Sequence, residues 1–222
     1  MRRRSAGSNS DVQSALEVVD HLVLATPDLE AGIDVVEALT GVRAAAGGSH
    51  PGMGTKNALL SLGPRAYLEI IGPDPAQDDY RHPRVFGVDS VDRPRLVTWA
   101  AKTTDVDRTA ATLLPGDCHL GQPHPGSRRR PDGSLLAWRL TDPYVVVADG
   151  IVPFYIDWLD TPHPAADAPG DITLTSLVAG HPEANDLQRH FDALALTIPV
   201  VAAPSPILTA TLRTAGGTVE LH

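Results

Sequence analysis

Two side chains stand where chemistry is feasible. His21 lies in Val18 to Ala25, a β-branched and apolar run of strand type, and Glu69 lies in Tyr67-Leu68-Glu69-Ile70-Ile71. Side chains alternate along a strand, so Glu69 shares a face with Tyr67 and Ile71. A carboxylate in that company is costly unless a metal, a hydrogen-bond donor or a ligand cation satisfies it. If the two strands are neighbours facing one cavity, the imidazole and the carboxylate converge, and such a pair can move a proton. The plainer reading makes His21 a hydrogen-bonded core histidine and Glu69 a polar residue lining a pocket.

Other polar residues could join them. The segment Gly48 to Asn57 reads as a loop at a cavity mouth, with His50 and Asn57 as substrate contacts; a plain turn between strands fits it equally well. Gly54-Thr55-Lys56 does not make it a phosphate loop, because the G-x-x-x-x-G-K-[ST] order is missing and a strand follows instead of a helix. Arg130 precedes a Pro-Asp-Gly turn and Trp138 follows it, so the guanidinium could reach an anionic substrate group. Arg128 and Arg129 read as solvated. Trp99, Trp138 and Trp158 read first as core, with a pocket wall as the lesser alternative. No G-x-S-x-G, C-x-x-C or H-E-x-x-H motif occurs.

These residues need a scaffold, and the chain repeats one. After Val18 to Ala25, Thr26-Pro27-Asp28 reads as a helix start with Thr26 as the cap. Leu29, Ile33, Val36 and Leu39 follow at helical spacing, and Gly41 closes the helix. Strands at Val42 to Ala46, Asn57 to Leu62 and Tyr67 to Ile71 complete a β-α-β-β-β unit. A second unit has a strand at Leu96 to Ala101, a helix start at Thr103-Thr104-Asp105, a Gly- and Pro-rich break from Pro115 to Gly133, and strands at Ser134 to Leu140 and Phe154 to Trp158. Aligning the units puts His21 over Thr98 and Glu69 over Asp157. A third, shorter unit runs from Ile172, with a helix start at His181-Pro182-Glu183 and strands at Ile207 to Leu212 and Thr218 to Leu221; there Ser176 takes the place of His21, and Glu220 falls near that of Glu69.

The expected organisation is therefore a disordered tail over 1–16, paired modules over 17–165 (17–73 and 95–160), and a third partial module over 171–222. In bulk the chain holds 27 acidic against 18 basic residues, which argues against a nucleic-acid partner held by phosphate attraction. No apolar run approaches the roughly 20 residues of a membrane-spanning helix. Arg2-Arg3-Arg4 leads into Ser, Gly and Asn rather than an apolar stretch, so it does not read as a secretory signal. The single cysteine, Cys118, can form no internal disulfide, and the expected location is cytoplasmic.

Across roughly residues 18 to 160 the chain resembles the vicinal oxygen chelate superfamily, in its glyoxalase-like branch. The resemblance rests on His21 to Asp28, on His50-Pro51-Gly52-Met53-Gly54-Thr55-Lys56-Asn57-Ala58-Leu59-Leu60, on Tyr67-Leu68-Glu69-Ile70, and on Arg130-Pro131-Asp132-Gly133 with Pro153 to Trp158. It implies an α+β fold in which two modules pair into a cupped mixed sheet, with the third module appended. It also implies a divalent metal in the cup, on the positions of His21, Glu69, Thr98 and Asp157. Thr98 is a poor ligand, which leaves His21, Glu69 and Asp157. The function so implied is that of a metal-dependent lyase or isomerase acting on a small oxygenated metabolite, with Glu69 moving a proton next to a carbonyl. The main rival is a metal-free protein of the same fold that binds or sequesters a small molecule. An extradiol-type dioxygenase would need a second histidine where Thr98 or Ser176 stands. The third module, lacking a fourth to pair with, is expected to cover an edge of the main sheet or to meet its copy in a homodimer.

Overall fold

The computed structural model describes residues 15–129 and 135–222. Most of the expected tail, and Arg130 with its Pro-Asp-Gly turn, lie outside the described residues. The first module comprises β1 (Val19–Ala25), α1 (Leu29–Thr40), β2 (Ala45–His50), β3 (Thr55–Ser61) and β4 (Tyr67–Pro73). The second comprises β5 (Arg95–Lys102), α2 (Val106–Ala110), β6 (His124–Arg129), β7 (Leu135–Leu140) and β8 (Phe154–Asp157). Together their strands form one curved eight-stranded sheet in the order β2-β3-β4-β1-β5-β8-β7-β6. In each module the last strand lies parallel to the first, and the modules join where β1 and β5 run antiparallel. The sheet curls until its two end strands approach, and Arg128 on β6 donates a hydrogen bond to the Gly47 carbonyl on β2.

Local chemistry shifts several expected boundaries. Asp28, not Thr26, caps α1, its carboxylate accepting from the Ala31 N–H at 3.1 Å. Thr26 is still tied to the sheet by its N–H to the Ile71 carbonyl, and its hydroxyl donates to the Asp28 carbonyl. Gly41 ends the helix in the left-handed conformation, as expected. The strand placed at Val42 to Ala46 runs instead over β2, so His50 is a strand residue opposite Thr55 rather than part of a loop. Part of the Gly- and Pro-rich break is the strand β6. Pro125 is tolerated there because β6 is an end strand.

The third unit comprises β9 (Thr173–His181), α3 (Ala184–Ala193), β10 (Val200–Ala202), β11 (Ile207–Thr214) and β12 (Gly217–Leu221). It keeps the order β-α-β-β-β but is wired differently. Its sheet order is β10-β9-β11-β12, with β10 parallel to β9, so Glu220 on β12 is two strands from Ser176 and does not occupy the equivalent of Glu69. Nor does this sheet simply cap an edge. Leu174, Leu177, Leu208 and Leu212 share one buried core with Leu22, Leu24, Trp99 and Tyr155, which point away from the cup on the main sheet. The second module explains the need: α2 has 5 residues where α1 has 12, and Leu113, expected on its apolar face, is exposed.

Candidate functional site

Strand alternation divides the main sheet into two faces. Residues such as Leu22, Leu68, Trp99 and Tyr155 pack on the back, while His21, Glu69, Phe154 and Ile156 face a cavity of about 460 Å³ inside the cup. β1 and β4 are adjacent and parallel, with His21 in register with Tyr67 and Val23 with Glu69. His21 Nε2 thereby comes to 3.7 Å from Glu69 Oε2, and its ring stacks on Tyr67 at 4.6 Å.

A bulge supplies the partner that the sequence hides. Val19 pairs with Ala101 and His21 with Ala100, so Asp20 is an extra residue on β1. Simple alternation would send Asp20 to the back; a bulge re-aims a side chain. Asp20 is fully buried and sits among three donors: His21 Nδ1 at 2.8 Å, His163 Nε2 at 3.1 Å and Trp158 Nε1 at 3.1 Å. Burial alone would raise its pKa, but the hydrogen bonds from His163 and His21 outweigh it together and hold the carboxyl well below the usual carboxylate range. An ionised Asp20 can only accept, so His21 carries a proton on Nδ1 and directs Nε2 toward Glu69.

His50 is arranged in the same way. Its Nε2 accepts from Asn57 Nδ2 at 3.2 Å, which leaves the proton on Nδ1, facing Thr55 Oγ1 at 2.9 Å. Burial, the largest influence, lowers its pKa and favours the neutral ring. His50 Nε2 lies 3.8 Å from Glu69 Oε1, and Asn57 Nδ2 donates to that oxygen at 2.5 Å. Gly47 makes room for this group: a Cβ there would stand 2.2 Å from Asn57 Oδ1. Glu69 thus lies between the Nε2 atoms of two histidines and accepts from Asn57.

The structure brings together His21, His50, Asn57 and Glu69, and it adds Trp138 to the cavity wall. Asp157 does not join them. Phe154 and Ile156 point into the cup, so alternation turns Asp157 outward, where its carboxylate accepts from the Leu159 N–H. Thr98 is buried beside Gly150, away from the cavity wall. The metal set expected from the sequence therefore does not assemble: His21 and Glu69 supply two donors where catalytic divalent sites use about three. Among the described residues no three His, Cys, Asp or Glu side chains are placed to hold an ion. Asp20, His163 and Arg128 were not anticipated from the sequence. Arg128, read as solvated, is buried at the cavity wall.

With this geometry in view, the comparisons with known proteins are informative. A family model described as a glyoxalase-like domain matches residues 19–195. The chain belongs to the glyoxalase-like family, within the vicinal oxygen chelate superfamily. Its match runs past the paired modules into the helix of the third. Among solved structures, this glyoxalase-like chain has the fold of a hypothetical protein from Staphylococcus aureus, with TM-score 0.62 and 12% identity over 91% of this chain and 83% of that one. Methylmalonyl-CoA epimerase from Mycobacterium tuberculosis aligns with TM-score 0.40 and 18% identity over 62% of this chain and 85% of that one. A Streptomyces coelicolor methylmalonyl-CoA epimerase in complex with 2-nitronate-propionyl-CoA gives the same TM-score and identity over 66% and 97%. No curated protein matches the sequence. No helix among the described residues is long and apolar enough to cross a membrane.

The buried carboxylate makes one prediction direct. Asp20→Asn leaves three donors facing a weaker, neutral acceptor and should destabilise the fold by about 3 kcal/mol at neutral pH. Because the folded-state pKa of Asp20 is depressed, its stabilisation is present above the unfolded carboxylate value of about 3.9 and fades as pH falls through the lower folded value. Denaturant midpoints of wild type and variant should accordingly converge in strong acid. A gap that stays constant down to that range would show that the ionised form of Asp20 contributes nothing.

Proposed function

We propose that this glyoxalase-like protein is an enzyme that moves a proton next to a carbonyl group of a small oxygenated metabolite, with lyase or isomerase chemistry. The observation that carries this reading is the environment of Glu69: a buried carboxylate at the wall of the cup, set between His21 Nε2 and His50 Nε2. A substrate C–H entering the cup beside Glu69 meets a carboxylate that can accept its proton. Glu69 takes the proton, the C–H electron pair moves toward the carbonyl oxygen, and return of the proton or loss of a leaving group completes an isomerisation or an elimination. Asp20 keeps His21 in the tautomer that can share the transferred proton. Incubating the protein in deuterated water with a panel of hydroxy acids, oxo acids and acyl thioesters should label the carbon next to a carbonyl. A tight ligand recovered unlabelled and unchanged, with and without added divalent metals, would favour the sequestering protein instead.

A divalent ion is a second reading, favoured by the approach of His21 Nε2 to Glu69 Oε2 at 3.7 Å. In that reading, protein purified without chelator holds about one ion per chain, and His21→Ala abolishes the uptake while the fold survives. Equal metal content in wild type and variant would remove His21 and Glu69 as the site.

A further inference from the structure

The two halves of the cup differ in chemistry. Every group described around Glu69 comes from the first module: His21 on β1, His50 on β2, Asn57 on β3 and Glu69 on β4. The second module contributes polar groups on β6, Arg128 among them, and a set of rings: Trp138 on β7, Phe154 on β8 and Trp158 just beyond it. Trp138 and Trp158 lie with ring centroids 5.4 Å apart, and Gly126, opposite Trp138 in register, leaves space for the indole. Of the positions where a second set of ligands was expected, Thr98 is buried opposite Val23 and does not line the cavity, and Asp157 turns outward.

The segment between the modules adds one more ring. Phe86 stacks on Phe154 at 5.0 Å, and Phe154 in turn meets the edge of His21 at 5.4 Å. Phe86 sits in the left-handed region with φ 56°, an uncommon and strained conformation for a bulky residue. It is held there by Val85 and Val88, which are buried in the apolar cluster of the cup. Its ring thus forms part of the cavity wall instead of turning to solvent.

Resting on the proton-transfer reading of Glu69, we propose that the substrate is an aryl-bearing hydroxy or oxo acid, bound with its reacting carbon beside Glu69, its acid group at Arg128 on β6 and its ring among Phe86, Trp138, Phe154 and Trp158. Ring faces favour offset or edge contact with another ring, and the enclosed apolar half adds the gain from burying it. Arg128, a buried cation on the same wall, suits the acid group.

Calorimetric titration of the wild-type chain with mandelate and phenylpyruvate, against lactate and pyruvate, compares acids that share polar groups and differ in the ring. The aryl acids should bind about tenfold more tightly or better. Phe86→Ala should weaken the aryl acids about tenfold and leave pyruvate unchanged, and Phe86→Leu, which retains apolar volume, serves if the alanine variant does not fold. Equal affinity for both classes, or no binding of the aryl acids, would overturn the proposal. Aryl acids that bind tightly but show no deuterium exchange would uphold the ligand class and overturn the proton-transfer reading; exchange on lactate or pyruvate at equal affinity would do the reverse.

Discussion

Glu69→Gln should lower turnover by about two orders of magnitude or more, the scale expected when the proton-moving group of a general acid–base site is lost. The substitution is nearly isosteric, and its carbonyl oxygen can still accept from Asn57 Nδ2. Its amide adds a donor beside His21 Nε2 and His50 Nε2, which the carboxylate lacks. The fold should therefore be at least as stable as wild type. The loss should appear in kcat with KM little changed, because the oxygens of the bound substrate keep their neighbours and only the proton acceptor is gone. In a sequestering protein the same change would leave ligand affinity near wild type and touch no rate. A variant with unimpaired turnover would remove Glu69 from the chemistry.

Deleting residues 171–222 should cost the protein its solubility. The third sheet and the back of the main sheet share one core, so the deletion exposes Leu22, Leu24, Trp99 and Tyr155 together. Each such side chain contributes about 1.5–3 kcal/mol when fully buried, and a few of them match the roughly 5–15 kcal/mol by which domains are stable. The deletion also removes backbone hydrogen bonds from Leu174 to the Leu62 carbonyl and from Leu96 to the His222 carbonyl. Size-exclusion chromatography with light scattering should show aggregation, accompanied by loss of cooperative thermal unfolding. A soluble truncation as stable as the full chain would make the third unit an appendage.

What the sequence made legible follows from periodicity. Apolar runs of strand type, such as those holding His21 and Glu69, and a helix closed by Gly41 could be placed because each rule acts over a few neighbouring residues. Alignment of the repeats, not alternation, misplaced Asp157: it carried Asp157 over Glu69 and into the site, although its own strand sends Phe154 and Ile156 inward. Asp20 was hidden for the opposite reason, since a bulge depends on the partner strand and leaves no local mark. His163 and Arg128 reach the site across long stretches of chain, His163 from a turn after β8 and Arg128 from an end strand brought close by curvature. The wiring of the third unit was equally invisible, because the same order of elements is compatible with more than one strand neighbourhood.

The indole pair has an optical consequence. Trp138 and Trp158 lie 5.4 Å apart with their planes at 55°, close and skewed enough for their excited states to mix. Mixing of that kind in a fixed chiral arrangement splits the absorption into two bands of opposite sign in circular dichroism. One indole N–H is tied to the carboxylate behind His21, and the other ring stands on the strand before it in the sheet. The chain thus carries a native chromophore whose sign and amplitude encode the relative orientation of two walls of the cup, readable in solution without any label.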